Sequence, residues 1–152
     1  MKAIILDDDP SVRALLANAF HRRGYEVVVY PNPRECPLYS FDTCPCQAEK
    51  PCPSIIVSDY EMPNVNGVEF IEALREKGCK CPNIALVSGC SIPNEVLKRA
   101  SKLKIKFFAK PFHRSQINEW LNQVEASVPQ ASQAKAMPDA PTLSVEAHPS
   151  RQ

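Results

Sequence analysis

The chain has 152 residues, 44% of them hydrophobic and 23% charged, a composition that suits one soluble globular domain rather than two. With 18 Lys and Arg against 17 Asp and Glu, the formal net charge is +1, so no global field draws the chain to nucleic acid or to an anionic membrane. No apolar run approaches the ~18 residues of a membrane helix, and Ala3 to Leu6 is too short for a signal-peptide core, which predicts a cytoplasmic protein.

Strand and helix patterns alternate along the chain. Lys2–Leu6 (KAIIL) is an apolar run suited to a strand buried on both faces. In Ser11–Arg23, Val12, Leu15, Leu16, Ala19 and Phe20 recur at helical spacing, and Gly24 closes the pattern. Glu26–Tyr30 (EVVVY) predicts a second strand. Pro33, Pro37 and Pro45 interrupt the stretch after it, and a proline inside a helix costs ~3 kcal/mol, so only a short helix near Arg34–Phe41 is expected. The Cys-rich stretch, about residues 36–53, then predicts an ordered excursion or a metal-held loop. Ile55–Ser58 predicts the third strand, and Val68–Lys77 a helix with Val68, Ile71 and Leu74 inward, closed by Gly78. Ile84–Ser88 predicts the fourth strand, Asn94–Ser101 a short helix, and Ile105–Ala109 the fifth strand. In the last helix, Ser115–Ala126, Ile117, Trp120, Leu121 and Val124 turn inward.

From Val128 onward few large apolar residues and no periodicity remain, so residues 128–152 are expected to be a disordered tail behind a domain of residues 1–127. Five strands alternating with helices make βαβ units: an α/β fold with a doubly wound, five-stranded parallel sheet and helices on both faces.

Ligands of such sheets collect outside the carboxyl ends of the strands. Those ends carry Asp7, Asp8 and Asp9 after the first strand, Asp59 after the third, Ser88 after the fourth and Lys110 after the fifth. Carboxylates sharing a crevice repel unless a cation joins them, and oxygen ligands favour a hard divalent ion, Mg²⁺ most naturally. A lysine and a hydroxyl at the same rim suit a phosphoryl group, which an aspartate can also carry covalently. Any one of these residues would serve as an ordinary helix cap or solvated turn, and Asp9 before Pro10 suits a helix start. Their arrival together at one edge points to a site.

The segments IILDDDPSVR (Ile4–Arg13), SDYEMPNVNG (Ser58–Gly67), ALVSG (Ala85–Gly89) and FFAKPF (Phe107–Phe112) resemble, in order, the receiver domains of two-component response regulators. The resemblance covers roughly residues 1–126 and implies a flavodoxin-like sheet of order 2-1-3-4-5. It implies phosphorylation of Asp59 from a phosphohistidine on a sensor histidine kinase or histidine phosphotransfer protein. Asp8, Asp59 and the backbone carbonyl of Glu61 would hold Mg²⁺, with Asp7 acting through water. Lys110 would pair with phosphoryl oxygens, Ser88 would shift to bond one of them, and Phe107 would pack inward as the aromatic switch. Glu61 and Cys90, each two residues beyond a site residue, would set the phosphoryl lifetime. Pro111 would come after Lys110 in a bond that is often cis. Such a chain would be no enzyme beyond its own phosphorylation and dephosphorylation.

The sequence departs from the family pattern in places. The gap from Asp8 to Asp59 is lengthened by the Cys-rich insertion. The usual Gly-Ala turn before strand five is Leu103-Lys104, which predicts a helix four that ends less sharply. Phe107 lacks a tyrosine hydroxyl. No output module is expected after the receiver, so signalling would run through phosphorylation-dependent contact with a protein partner. The basic stretch Lys98, Arg99, Lys102, Lys104 and Lys106 marks the helix four–strand five face as a docking surface or a solvated face, and direct DNA binding is not expected.

Seven cysteines is a high and odd count. Cys44, Cys46 and Cys52 precede strand three, and Cys79 and Cys81 precede strand four, so both groups fall at the amino edge of the sheet. Cys52-Pro-Ser-Ile55 and Cys81-Pro-Asn-Ile84 share a spacing before adjacent parallel strands, which predicts Cys52 and Cys81 within ~10 Å of each other, Cys44 and Cys46 folded back over that edge, and Cys79 a reserve ligand. A Zn²⁺ or iron–sulfur site, a redox-labile disulfide and inert packed thiols all fit. Cys36 and Cys90 stand apart from this set. Two further readings stay open: a metal- or redox-sensing module on a receiver scaffold, and a phosphorelay intermediate.

Overall fold

Five short strands carry the core of the computed structural model, which describes residues 1–46 and 51–128. In chain order the elements are β1 (Lys2–Leu6), α1 (Pro10–His21), β2 (Glu26–Tyr30), a single 3-10 turn (Pro33–Glu35), α2 (Pro37–Ser40), β3 (Ile55–Asp59), α3 (Gly67–Glu76), β4 (Asn83–Ser88), α4 (Asn94–Lys102), β5 (Lys106–Ala109) and α5 (Arg114–Ala126). All pairings are parallel, in the order β2-β1-β3-β4-β5. The tail from residue 129 and residues 47–50 of the insertion lie outside the described residues.

Alternate side chains of each strand feed opposite layers. Ile5, Val57 and Val87 pack with Leu16 and Phe20 of α1 and with Ile117 and Leu121 of α5. Ile4, Ile56 and Ile84 pack on the other face with Phe70, Ile71 and Leu74 of α3. Every residue of β3 is buried, which is why that strand reads as unbroken apolar sequence up to Ser58 and Asp59.

The prolines after β2 do what their chemistry requires. Pro33 opens the 3-10 turn and Pro37 opens α2, each at a first position where a missing N–H costs nothing. α2 stops after four residues.

Three helices end in the same Schellman closure. Tyr25 N–H donates to Phe20 O (3.2 Å) after α1, Cys79 N–H to Leu74 O (2.9 Å) after α3, and Ile105 N–H to Ala100 O (3.2 Å) after α4. The left-handed residue is Gly24 (φ +83°) in the first, Gly78 (φ +90°) in the second and Lys104 (φ +56°) in the third. The expectation that helix four ends less sharply is therefore corrected. Lys104 is forced into the glycine conformation, and Ile105 is spent on the cap, so β5 starts only at Lys106.

Candidate functional site

The carboxyl ends of β1, β3, β4 and β5 meet around Asp7, Asp59, Ser88 and Lys110. Asp7 comes directly after β1 and is fully buried. Its Oδ1 accepts the Asp9 N–H (2.9 Å) and its Oδ2 lies 3.0 Å from Lys110 Nζ. Asp59 ends β3 at 4% exposure, with Oδ1 accepting the Glu61 N–H (3.1 Å) and Oδ2 3.3 Å from Lys110 Nζ. Asp8 remains exposed, yet one carboxylate oxygen from each of Asp7, Asp8 and Asp59 lies within 4.8 Å of the other two. Lys110 N–H donates to Ser88 O (2.7 Å), which joins the β4 and β5 ends of the rim.

The electrostatics of this crevice are unbalanced. Burial, and then the negative charge of Asp7, push the Asp59 carboxyl up to about 6, against the pull of Lys110 and the Glu61 N–H. Burial works against the Lys110 ammonium too, but its hydrogen bond to Asp7 and the charges of Asp59 and Asp7 win and raise its pKa. Three carboxylates gather here, Lys110 reaches two of them, and the oxygens left over are all hard donors. That donor set fits a hard divalent cation such as Mg²⁺, and Asp8 is its solvent-facing member.

Ser88 is buried beside this centre and its hydroxyl meets the loop leading into α4: Oγ donates to Cys90 O (3.2 Å), accepts the Cys90 N–H (3.2 Å) and lies 3.5 Å from Cys90 Sγ. Phe107 is half-buried against Val68, Leu86 and Ala100, the layer under α4. The Glu61 side chain is exposed at the rim. The Lys110–Pro111 peptide is cis, as expected.

The sequence matches the response regulator receiver domain family over residues 3–122. The chain belongs to that family. Its fold superposes on chemotaxis protein CheY4 of Vibrio cholerae with a TM-score of 0.64 at 26% identity, covering 81% of this chain and 97% of that one. Chemotaxis protein CheY1 of Helicobacter pylori is 23% identical over 125 residues, 82% of this chain and 96% of that protein. The C4-dicarboxylate transport transcriptional regulatory protein DctD of Pseudomonas aeruginosa is 28% identical over 111 residues, 73% of this chain but only 22% of that protein. An uncharacterized 14.6 kDa protein of Leptolyngbya boryana is 36% identical over 90 residues, 63% of its length, so the chain spans less than two thirds of both these relatives.

Two residues that hold the receiver site escape a reading of chemistry-bearing side chains. Arg13 of α1 donates from Nη1 to the backbone carbonyl of Asp7 (2.7 Å) and braces the acidic loop from below. Gly67 opens α3 against the backbone of β3: a Cβ there would sit 2.6 Å from the Asp59 carbonyl oxygen and 2.7 Å from Leu86 Cδ2. Both lie inside the receiver motifs, where only contact geometry gives them a role.

At the opposite edge of the sheet, the structure gathers Cys44, Cys46 and Cys52, with Cys81 close enough for the Cys52 charge to act on it, although the two are not level. Ile55 pairs with Asn83 and Ile56 with Ile84, one residue out of step with the shared spacing. Lys80 therefore comes opposite Cys52, and its N–H donates to Cys52 Sγ (3.3 Å). Cys79 adjoins Lys80 and lies near Cys52, just outside the group of three, while the Cys81 thiol turns to Asn83 O (3.5 Å) in the core. Burial raises the Cys79 thiol to about 11 and the Cys81 thiol to about 12. Burial would raise Cys52 as well, but the Lys80 N–H and the neighbouring thiols donate to it and hold it below the ordinary value.

Proposed function

We propose that this receiver is a phosphorylated signalling switch, with Asp59 the acceptor and a phosphohistidine on a sensor kinase or histidine phosphotransfer protein the donor. The observation that carries the reading is the single ammonium of Lys110 held between Asp7 and Asp59, at 3.0 and 3.3 Å, at the mouth of a three-carboxylate crevice. An Asp59 oxygen attacks phosphorus, the P–N bond breaks, and the donor histidine leaves as imidazole. Lys110 then faces the new phosphoryl oxygens, and Asp7 keeps it in place. Asp8, Asp59 and the Glu61 carbonyl would hold Mg²⁺, with Asp7 acting through water, and the ion supplies neutralisation of the charge that gathers as donor and carboxylate meet.

Ser88 is the group within reach to answer phosphorylation, since its hydroxyl is bound only to the Cys90 loop. Its movement toward the phosphoryl group would open space for Phe107 beneath α4 and reshape the α4–β5 face. Lys98, Lys102, Lys104 and Lys106 are exposed there, while Arg99 is engaged with Glu72 of α3. That face is the proposed docking surface for the output protein. A cytoplasmic setting follows from the donor, and among the described residues no helix is long and apolar enough to cross a membrane.

Acetyl phosphate labelling tests the reading. Label should appear on the wild-type chain only with Mg²⁺, be lost in Asp59→Asn, and persist in Cys90→Ser. Undiminished labelling of Asp59→Asn would overturn the assignment. Rapid onward transfer to a histidine phosphotransfer protein would instead favour the relay reading, in which the same chemistry feeds a second histidine.

A further inference from the structure

The insertion before β3 has a chemistry of its own that phosphoryl transfer does not use. One sulfur from each of Cys44, Cys46 and Cys52 lies within 4.8 Å of the other two, and Cys44 Sγ and Cys52 Sγ are 3.7 Å apart. Cys79 is not one of those three, but it directly precedes Lys80, whose N–H is bonded to Cys52 Sγ, so the α3–β4 loop carries it to the edge of the group. This grouping is braced on all sides. Cys44 N–H donates to Lys77 O (2.7 Å), and Lys77 Nζ reaches Tyr39 O from the end of α3. Arg75 clamps the α3–β4 loop with a fork, Nη1 to Cys79 O (2.7 Å) and Nη2 to Cys81 O (2.6 Å). The sulfurs open onto a cleft of about 590 Å³ that Lys77 and Lys80 also line.

We propose that Cys44, Cys46, Cys52 and Cys79 bind one Zn²⁺ as a tetrahedral thiolate site at the amino edge of the sheet, remote from Asp59. The spacing argues for a mononuclear centre. With Zn–S bonds of about 2.3 Å, the edge of a regular tetrahedron of sulfurs is about 3.8 Å. The 3.7 Å between Cys44 and Cys52 matches that edge and is far from the ~2.05 Å of a disulfide. An iron–sulfur cluster distributes its thiolates over several irons and so spreads them wider than this group.

Charge and hydrogen bonding fit the same ion. Four thiolates around Zn²⁺ leave two negative charges, and Lys77 and Lys80 line the same cleft. The Lys80 N–H on Cys52 Sγ is the kind of outer bond that orients a thiolate ligand. The thiol protons leave to solvent as the ion binds. The insertion also needs such a fastening: it holds Pro45, Pro51 and Pro53, exposes Phe41 at 51%, and contributes few large apolar side chains to the core. Metal binding would supply folding energy that apolar burial does not. Cys81 is committed to the core, Cys36 is buried beside α2, and Cys90 sits at the opposite edge beside Ser88.

The full chain, purified without a polyhistidine tag and under reductant, is assayed by elemental analysis and then exchanged with Co²⁺. The expected result is one zinc per chain and a cobalt spectrum with strong sulfur-to-metal charge transfer and tetrahedral d–d bands. Cys44→Ser and Cys52→Ser should each abolish stoichiometric binding and the charge-transfer bands, while Cys90→Ser and Cys81→Ala keep them. Acetyl phosphate labelling of Cys52→Ser, read at the far edge, confirms that the domain is still folded. Wild-type chain that takes up neither zinc nor cobalt overturns the proposal. So does stoichiometric iron with acid-labile sulfide, or metal uptake unchanged in both serine variants.

Discussion

Replacing the proposed acceptor should stabilise the metal-free protein, and the size and pH dependence come from the crevice. Asp59 has an ordinary carboxyl value of 3.8 when the chain is unfolded, but burial and the charge of Asp7 push it up to about 6 in the fold. Between those values the native state binds a proton that the unfolded state has released, so stability falls as pH rises through the window. Above about 6 the whole loss is present. Two units at 1.36 kcal/mol each give about 3 kcal/mol. Asp59→Asn keeps the shape, removes the charge, and leaves Lys110 its 3.0 Å contact with Asp7. The variant should therefore gain about 2–3 kcal/mol at pH 8 in EDTA, or roughly 5–10 °C in Tm for a domain of this size. The gain should shrink toward zero near pH 4. Thermal melts of both proteins across that range read it directly, and adding Mg²⁺ should raise the wild type more than the variant. A variant no more stable than wild type at pH 8, or one equally stabilised at pH 4, would refute the claim that an unbalanced carboxylate strains this crevice.

Three further outcomes are expected. Lys104→Gly should stabilise by up to about 1 kcal/mol, because Lys104 holds the left-handed position that Gly24 and Gly78 fill in the sister closures; urea denaturation that shows a loss would contradict this. Gly67→Ala should cost about 1–3 kcal/mol and slow acetyl phosphate labelling, because its Cβ would collide with the Asp59 carbonyl 2.6 Å away; wild-type values for both would remove Gly67 from the site. Substituting Glu61 or Cys90, which flank Asp59 and Ser88, should change the decay of phosphorylated protein severalfold while labelling persists, and unchanged decay in both would reject the role.

The strand-end chemistry was legible because a parallel sheet turns sequence order into spatial order. Each βα unit delivers its strand end to the same edge, so Asp7, Asp59, Ser88 and Lys110 could be brought together without coordinates. The prolines were equally legible, since Pro33 and Pro37 can only begin a turn. The support beneath the site was hidden. Arg13 acts through a backbone carbonyl and Gly67 through the side chain it lacks, and neither role leaves a mark in residue chemistry. Lys104 was half legible: Leu103-Lys104 stands in place of the Gly-Ala turn, but only the hydrogen bonds from Lys104 and Ile105 to the end of α4 show that the closure still forms, with a left-handed lysine.

At the amino edge a one-residue register offset was hidden in the sequence, and the offset matters. Cys52 and Cys81 stand at equal distances from Ile55 and Ile84, and equal spacing suggests equal register. Ile55, however, faces α1 and α5, while Ile84 faces α3, so these two isoleucines cannot be direct partners. A half-exposed strand would have revealed the slip through its polar positions. IALVS is buried on both faces, reads as a continuous apolar run, and conceals which residue points which way. The one-residue offset then decides the chemistry at the edge. It sets a backbone N–H, from Lys80, against the Cys52 sulfur, leaves Cys79 beside the cluster, and commits Cys81 to the core. Removing the Cys81 thiol should thus cost packing, whereas removing the Cys79 thiol should cost metal. A comparison of those two alanine variants for zinc content separates a site built by this register from one in which the cysteines are merely clustered.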